Sequence, residues 1–414
     1  MITAAHRINE QTTIAVVRPW PAITAAALTA TVTVMPGFAI GAMATPIAAD
    51  LHLSRMTLGL AMSTFYAASA LSSGLAKRLA GRLATPLALA LPALITTASL
   101  LVVATAPNAA ALVGALIVAG AGNSLVQPAA ARLIAARAPA HRRALASGMV
   151  GAALGASSLI PALLVAFVVG PWGWRTAMLI ASATALIPIV LARLTRDAPS
   201  TTAPVARPRS TGDLRGVRAT LVLWAAAAAL SAAGNNAAAS YFIQLAHQAG
   251  FASGTAGDLL SASAILAVLV RLAAGAIADR APRHNTATVA AMMVLGAIGL
   301  ALIALGSPVS FLLGAILAFT AGWGWTGLLL ATALRLVPCR AETAGHTVQV
   351  GVFSGATIAP YTFGELTNTL GFTTAALTTS AAALMGAALI VLGAKLADTP
   401  HTDQRSSTTS FDMP

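Results

Sequence analysis

"VRLAAGAIADRAPR", residues 270–283, combines two things that apolar sequence rarely carries together. Arg271 stands inside a greasy run that begins near Leu259, and that run ends in Asp279, Arg280 and Arg283. Arg271, Gly275 and Asp279 are spaced i, i+4, i+8, so a helix puts them on one face. Eight residues at 1.5 Å each separate the arginine from the acid by about 12 Å along the axis. A charge inside an apolar helix is costly in lipid and is by default a sign of function.

The rest of the chain reads as lipid-soluble. Its 414 residues are 57% hydrophobic and 8% charged, against about 25% charged in an ordinary soluble domain. Apolar runs of roughly the 20 residues needed to cross a bilayer recur along nearly its whole length. Twelve spans are expected, at about 22–49, 55–76, 84–105, 109–136, 143–169, 173–194, 218–246, 256–278, 285–305, 308–336, 343–367 and 371–396. The first is too long for the core of a cleavable signal and reads as a retained helix. Residues 196–217 are rich in Pro, Ser, Thr and Arg and cannot bury a core. They divide the chain into bundles at 21–195 and 218–397, with tails at 1–20 and 398–414.

Basic residues stay on the cytoplasmic side of a membrane. With both termini inside, 19 of the 24 Lys and Arg fall on that side and only Arg55 and Arg175 on the other. Arg132, Arg271 and Arg335 lie within spans. A multi-pass protein of a bacterial plasma membrane, with cytoplasmic termini, is the expectation.

The two halves repeat. "SGLAKRLAGR" around Gly74 aligns with "AGAIADRAPR" around Gly275 at an offset of 201. Arg132 aligns with Arg335 at an offset of 203, and Gly151 and Gly155 align with Gly351 and Gly355 at an offset of 200. Three motifs at nearly one spacing predict two six-helix bundles related by a parallel repeat, with substrate held near the midplane between them.

On these residues the chain resembles the major facilitator superfamily from about residue 20 to 397. "GAIADRAPR" (275–283) is similar to that family's G-x-L-A-D-R-x-G-R loop, and "GLAKRLAGR" (74–82) is a degenerate copy with Arg78 in place of the acid. The resemblance implies an all-α integral membrane fold of twelve transmembrane helices in two bundles, and secondary transport. Ile117 stands where the family's arginine motif in the fourth helix expects arginine, and Ala156 replaces the proline of its antiporter motif. The resemblance therefore carries fold and class but no coupling mode.

It also implies a gate. Asp279 is expected near the start of the fifth segment, with Gly275, Arg280 and Arg283 around it and Arg142 and Arg143 as ion partners. Because the first-half acid is missing, a swapped pair of Arg78 with Glu342 is a second expectation; the alternative is that Glu342 only caps its own helix. Arg271 is either the counter-ion of an anionic substrate, since guanidinium pairs well with carboxylate, or the far end of the latch.

Other polar side chains inside the spans are candidate cavity residues or helix glue. Asn123 and Gln127 share one face, and Asn235 and Asn236 follow Gly234 at a place where the family's helix often unwinds. Gln349, Phe353, Thr357, Tyr361 and Glu365 form a strict i+4 stripe. Trp323 and Trp325 lie at mid-span, whereas Trp172 and Trp174 read as interface anchors. Glu365 is the coupling candidate, because a carboxylate in apolar surroundings favours its neutral form and can carry a proton. The alternative is an acid in water at the headgroup level.

Function classes narrow accordingly. No phosphate-binding G-x-x-x-x-G-K-[ST] loop is present. The histidines lie in tails or near span ends, and Cys339 is the only cysteine, so no metal site, cofactor or enzyme is expected. Low aromatic content argues against nucleic acid despite the net charge of +13. The expected partners are membrane lipid, a small-molecule substrate and a coupling proton, with the chain a monomer. A small organic anion is the first substrate class, because the acids in or near spans lie at their ends. Export of neutral or drug-like compounds is the alternative, and a non-transporting membrane sensor is the reading from another class.

Overall fold

The computed structural model describes residues 19–53, 55–195 and 211–398, and all that follows concerns those residues. They are helix throughout, with short turns and no strand. In the first half the helices are α1 (Pro19–Ala42), α2 (Ala44–Leu51), α3 (Arg55–Arg82), α4 (Thr85–Ala104), α5 (Ala109–Asn123), α6 (Val126–Arg137), α7 (Arg143–Ala156), α8 (Leu159–Leu164), α9 (Gly170–Thr184) and α10 (Ile187–Leu191). In the second half they are α11 (Thr211–Ser240), α12 (Phe242–Gln248), α13 (Ser253–Ala278), α14 (Asn285–Ala304), α15 (Pro308–Leu336) and α16 (Ala341–Asp398).

Proline explains three of the interruptions. It lacks an N–H and crowds the carbonyl four residues back. Four residues before Pro128, Pro161 and Pro188 stand Ser124, Ser157 and Thr184, the first two in breaks and the third the last residue of α9 before one. Two helix starts are capped by side chains: Asn108 accepts from the Ala111 N–H at 3.0 Å, and Ser307 forms a reciprocal box with Ser310.

Nine helical runs among the described residues are long and apolar enough to cross a membrane. Two of them, Ala140–Thr195 and Ala341–Ala397, hold 56 and 57 residues. Straight, each would span about 85 Å, nearly three times a hydrocarbon core of about 30 Å. Each instead reverses at a glycine with positive φ, Gly173 (77°) and Gly371 (82°), a conformation that costs other residues a Cβ clash. The reversals are visible in the packing. Arg137 donates to the Leu194 carbonyl at 3.1 Å, returning the chain to where it left. Gly351 and Gly386, on opposite arms of α16, both lie against Ala225–Ala228 of α11. With α3, 28 residues long, the nine runs and two reversals accommodate the twelve expected crossings. α11 begins at Thr211, inside the expected linker; residues 196–210 and the tails lie outside the described ones.

Within the first half α3 and α4 pack on α5, α4 on α9, and α1 on α6 and α7. Within the second, α11 packs on α16, α14 on α15 and α16, and α13 on α15. The halves meet through α7 against α13 and α15, and through α3 and α6 against α16. Helices α1 and α11, which lead the two halves, make no contact of comparable extent. One apolar core crosses the seam, including Phe65, Val150, Trp325 and Phe353.

At the end opposite Asp279 the first half is stapled. Arg175 pairs with Asp50 at 2.9 Å and donates to the Ala104 and Ala106 carbonyls at 2.9 and 3.1 Å. Trp174 Nε1 donates to the same Asp50 carboxylate at 3.2 Å, and its ring lies 4.6 Å under the guanidinium. Trp174 is 5% exposed, so it is no interface anchor; Trp172, 65% exposed, keeps that reading. The correction has a physical reason: the turn at Gly173 points the two neighbours opposite ways. Arg175→Ala strands two carbonyls and the acid, and is expected to lower the unfolding midpoint of the purified protein by the equivalent of roughly 1–2 kcal/mol. A thermal melt checks it.

Candidate functional site

Arg271 is 2% exposed and lies on the seam between the halves. Its Nε donates to the Trp323 carbonyl at 3.0 Å, and its guanidinium stands 5.6 Å from the Trp323 ring centre, within cation–π range. Its Nη1 is buried and has no hydrogen-bond partner. That nitrogen occupies a notch made by Gly155 on α7, where any Cβ would collide with it. Among the described residues no carboxylate pairs with it. A buried cation with an unused N–H is costly, and an anion entering beside it would remove that cost.

A second polar group crosses the other line of contact between the halves, where α3 and α6 meet α16. Asn123 Nδ2 donates to Ser69 Oγ at 2.8 Å, and Gln349 Nε2 donates to the same oxygen from the other half. Gln127 is on the same face as Asn123, and its backbone is packed directly on Gly345 of α16. The side-chain oxygens of Gln127 and Gln349 are buried without partners. Tyr66 stacks on Phe353 across the same seam, ring centres 5.9 Å apart. Sequence periodicity singles out Asn123, Gln127 and Gln349. It has no signal for Ser69 or Tyr66, because the partners they meet in the other half, Gln349 and Phe353, are 280 or more positions away.

The stripe on α16 shows which way the space between the halves opens. Gln349 and Phe353 are 1% and 2% exposed and touch the first half. Thr357 on the same face is half-buried and donates to the Phe353 carbonyl, while Tyr361 and Glu365 are exposed. The halves are therefore closed together at the Asp279 end and part toward the Arg175 end. Glu365 lies at the parted end, so the enclosed setting its expected proton role needs is absent in this arrangement.

At the closed end Asp279 accepts from the Ala144 N–H at 2.8 Å and the Leu145 N–H at 2.9 Å. These are free donors at the start of α7, where the helix dipole favours an anion. Gly275 explains its own place in the motif: a Cβ there would lie 2.8 Å from the Ala144 carbonyl oxygen. The expected ion partners are not used. Arg143 donates instead to the Ala135 carbonyl at 3.2 Å, and Arg142, Arg280 and Arg283 are exposed. Backbone donors hold both carboxylate oxygens, and the arginine whose charge reaches Asp279 is Arg335 of α15. Asp279→Asn removes the charge at the α7 start. At about 0.3–1 kcal/mol for such a charge, closure at this end weakens about two- to fivefold. Faster labelling of a Ser147→Cys probe in a Cys339→Ser background reads it, since Ser147 is fully buried on the seam.

The repeat-related position is built differently. Arg78 is exposed and makes no ion pair with Glu342 among the described residues. The swapped pair is thus not formed. The start of α16 is held by glycine against backbone, Gly345 on Gln127, and by His346 against the Ser73 backbone. The two repeat arginines do act alike. Arg132 donates to the Ala80 and Leu83 carbonyls of the first-half loop, and Arg335 to the Pro282 carbonyl of the second.

Asn235 and Asn236 do not line an opening. α11 runs unbroken through both. Asn235 Nδ2 donates to the Gly322 carbonyl at 2.5 Å, pinning α11 to α15, and Asn236 donates to Ala232 of its own helix at 2.8 Å. Both amide nitrogens are thus spent on backbone carbonyls, while Asn235 Oδ1 stays buried without a partner.

A family model described as Major Facilitator Superfamily matches residues 25–360. No curated protein sequence matches the chain. Solved structures share its fold. The proton:xylose symporter XylE, bound to 6-bromo-6-deoxy-D-glucose, matches at TM-score 0.71 and 14% identity, covering 90% of this chain and 95% of its own. The transporter FucP, in the outward conformation, matches at 0.66 and 18%, covering 91% and 99%. The human organic anion transporter MFSD10 (TETRAN) matches at 0.66 and 16%, covering 90% and 99%. At these identities the likeness is one of fold.

Proposed function

Because this chain belongs to the Major Facilitator Superfamily and is a multi-pass membrane transporter rather than an enzyme, we propose that it carries a small organic anion by rocker-switch alternating access. One observation carries the substrate class: the buried Arg271 guanidinium, with an unused N–H and no acid beside it. A carboxylate bound there gains a charge-assisted bond without competing with a resident acid. Trp323 supplies an uncharged face beside it. The arrangement closed at Asp279 is one of two alternating states, and the Asp279 cap is the latch of that state. Positive charge concentrated at this end puts it, with both termini, in the cytoplasm.

A thermal-shift panel on detergent-purified protein tests the anion reading. A ligand of the native state at 100 times its Kd stabilises by about 2.7 kcal/mol. Small carboxylates are expected to raise the midpoint, and neutral metabolites and lipophilic cations to leave it. Stabilisation by neutral or cationic compounds alone overturns the anion in favour of drug-like export, and an absence of flux in proteoliposomes overturns transport in favour of a sensor. The same reading takes a proton as co-substrate, as do the proton:xylose symporter XylE and the fucose:proton symporter FucP. Uptake driven by an imposed pH gradient tests it.

A further inference from the structure

Outside the seam the structure holds a lateral groove of about 250 Å³ between the end of α13 and the start of α14. Ala274, Ile277 and Ala278 form its apolar wall, and His284, Asn285 and Thr288 line its other side. Ile277 is 61% exposed, so the wall continues onto the outer surface of the bundle. Small-molecule sites run to about 300–1,000 Å³, so this groove is too small for an enclosed solute. It suits a headgroup with the first carbons of a chain.

The chemistry of its mouth is anionic-seeking on three counts. The groove ends at the N-terminus of α14, a 20-residue helix whose dipole favours an anion, although the Asn285 N–H itself is spent on the Pro282 carbonyl. His284 lines it, and Arg280 and Arg283 are exposed in the same turn. Asn285, a lining residue, is 1% exposed, and neither its amide nitrogen nor its oxygen has a partner. A buried amide left wholly unbonded is rare and costly, and nothing in the protein accounts for this one. The turn itself is held from inside by Arg335 on the Pro282 carbonyl, so the mouth is preformed.

We propose that this groove binds an anionic phospholipid: phosphate at the α14 start among Arg280, Arg283, His284 and Asn285, and the acyl chain leaving along Ala274 and Ile277. Basic pockets between membrane helices take lipid headgroups for the same reasons. The apolar wall selects a lipid over a free anion. Asp279 lies in the turn that the headgroup contacts, so the bound lipid holds the segment that carries the latch.

The test is lipid binding by purified full-length protein, independent of transport. Native mass spectrometry counts retained phosphatidylglycerol and phosphatidylcholine, and a thermal melt reads the midpoint with each. Wild type is expected to retain one phosphatidylglycerol through delipidation and to gain midpoint from it but not from phosphatidylcholine. Arg280→Gln with Arg283→Gln removes the rim charge, and Thr288→Trp fills the groove with every charge in place. Both are expected to lose the retained lipid and the gain. Retention unchanged in Thr288→Trp overturns the site, as does an equal gain from inorganic phosphate. If a variant melts early, the count on its folded fraction decides in the same way.

Discussion

Arg271→Met is expected to raise the thermal midpoint of the unliganded protein while abolishing its response to a transported carboxylate. The two effects have one cause. The guanidinium is 2% exposed and leaves Nη1 without an acceptor, and an unsatisfied buried donor costs about 1–3 kcal/mol, more when charged. Methionine fills similar length with no polar group, so the resting protein gains roughly that amount. A hydrogen bond to a charged group contributes about 1.5–3 kcal/mol, so loss of the bound anion's partner weakens its binding roughly tenfold to 150-fold. Arg271→Lys keeps the charge but cannot reach both the Trp323 carbonyl and an anion in the Gly155 notch, and is expected to fall between. The outcome that sinks the anchor is a destabilised Arg271→Met that still responds to the carboxylate. The arginine would then belong to the latch alone.

Gly151→Val is expected to hold the protein open at the Asp279 end and to cut transport by an order of magnitude or more. A Cβ at Gly151 would stand 2.8 and 2.9 Å from the backbone N and Cα of Gly327, and one at Gly327 2.7 Å from Gly148 Cα. These are backbone atoms of the opposite half and cannot turn aside. Overpacking at such a contact costs about 1–3 kcal/mol, here charged only to the closed state. The ratio of that state to the open one falls roughly fivefold to 150-fold. Ser147→Cys in the Cys339→Ser background labels correspondingly faster. Unchanged labelling with a lowered midpoint would mean that these glycines are static packing rather than a moving seam. Fluorescence of a probe at the parted end adds a check in the opposite direction, since that end closes when the Asp279 end opens.

What the sequence by itself determined is what one-dimensional pattern can carry. Low charge and recurrent apolar runs determine a membrane-spanning helical chain, because every backbone group in lipid must be satisfied within its own helix. The repeat at offsets of 200 to 203 predicts two related halves. The i+4 spacing of Arg271, Gly275 and Asp279 puts them on one helix face, and Gly151 and Gly155 recur in the second half as Gly351 and Gly355. Only the tertiary structure decided which groups meet across that face. Asp279 is bonded by backbone N–H groups rather than Arg142 or Arg143, Arg78 does not reach Glu342, Asn235 is spent on Gly322, and Ser69 joins Asn123 to Gln349. Periodicity fixes the face of a helix but not its height against a neighbour, and a shift of one turn, about 5.4 Å, changes every partner. Charge pairs cannot be read from composition for the same reason: at the start of a helix the backbone itself competes for the carboxylate, and here it holds both oxygens.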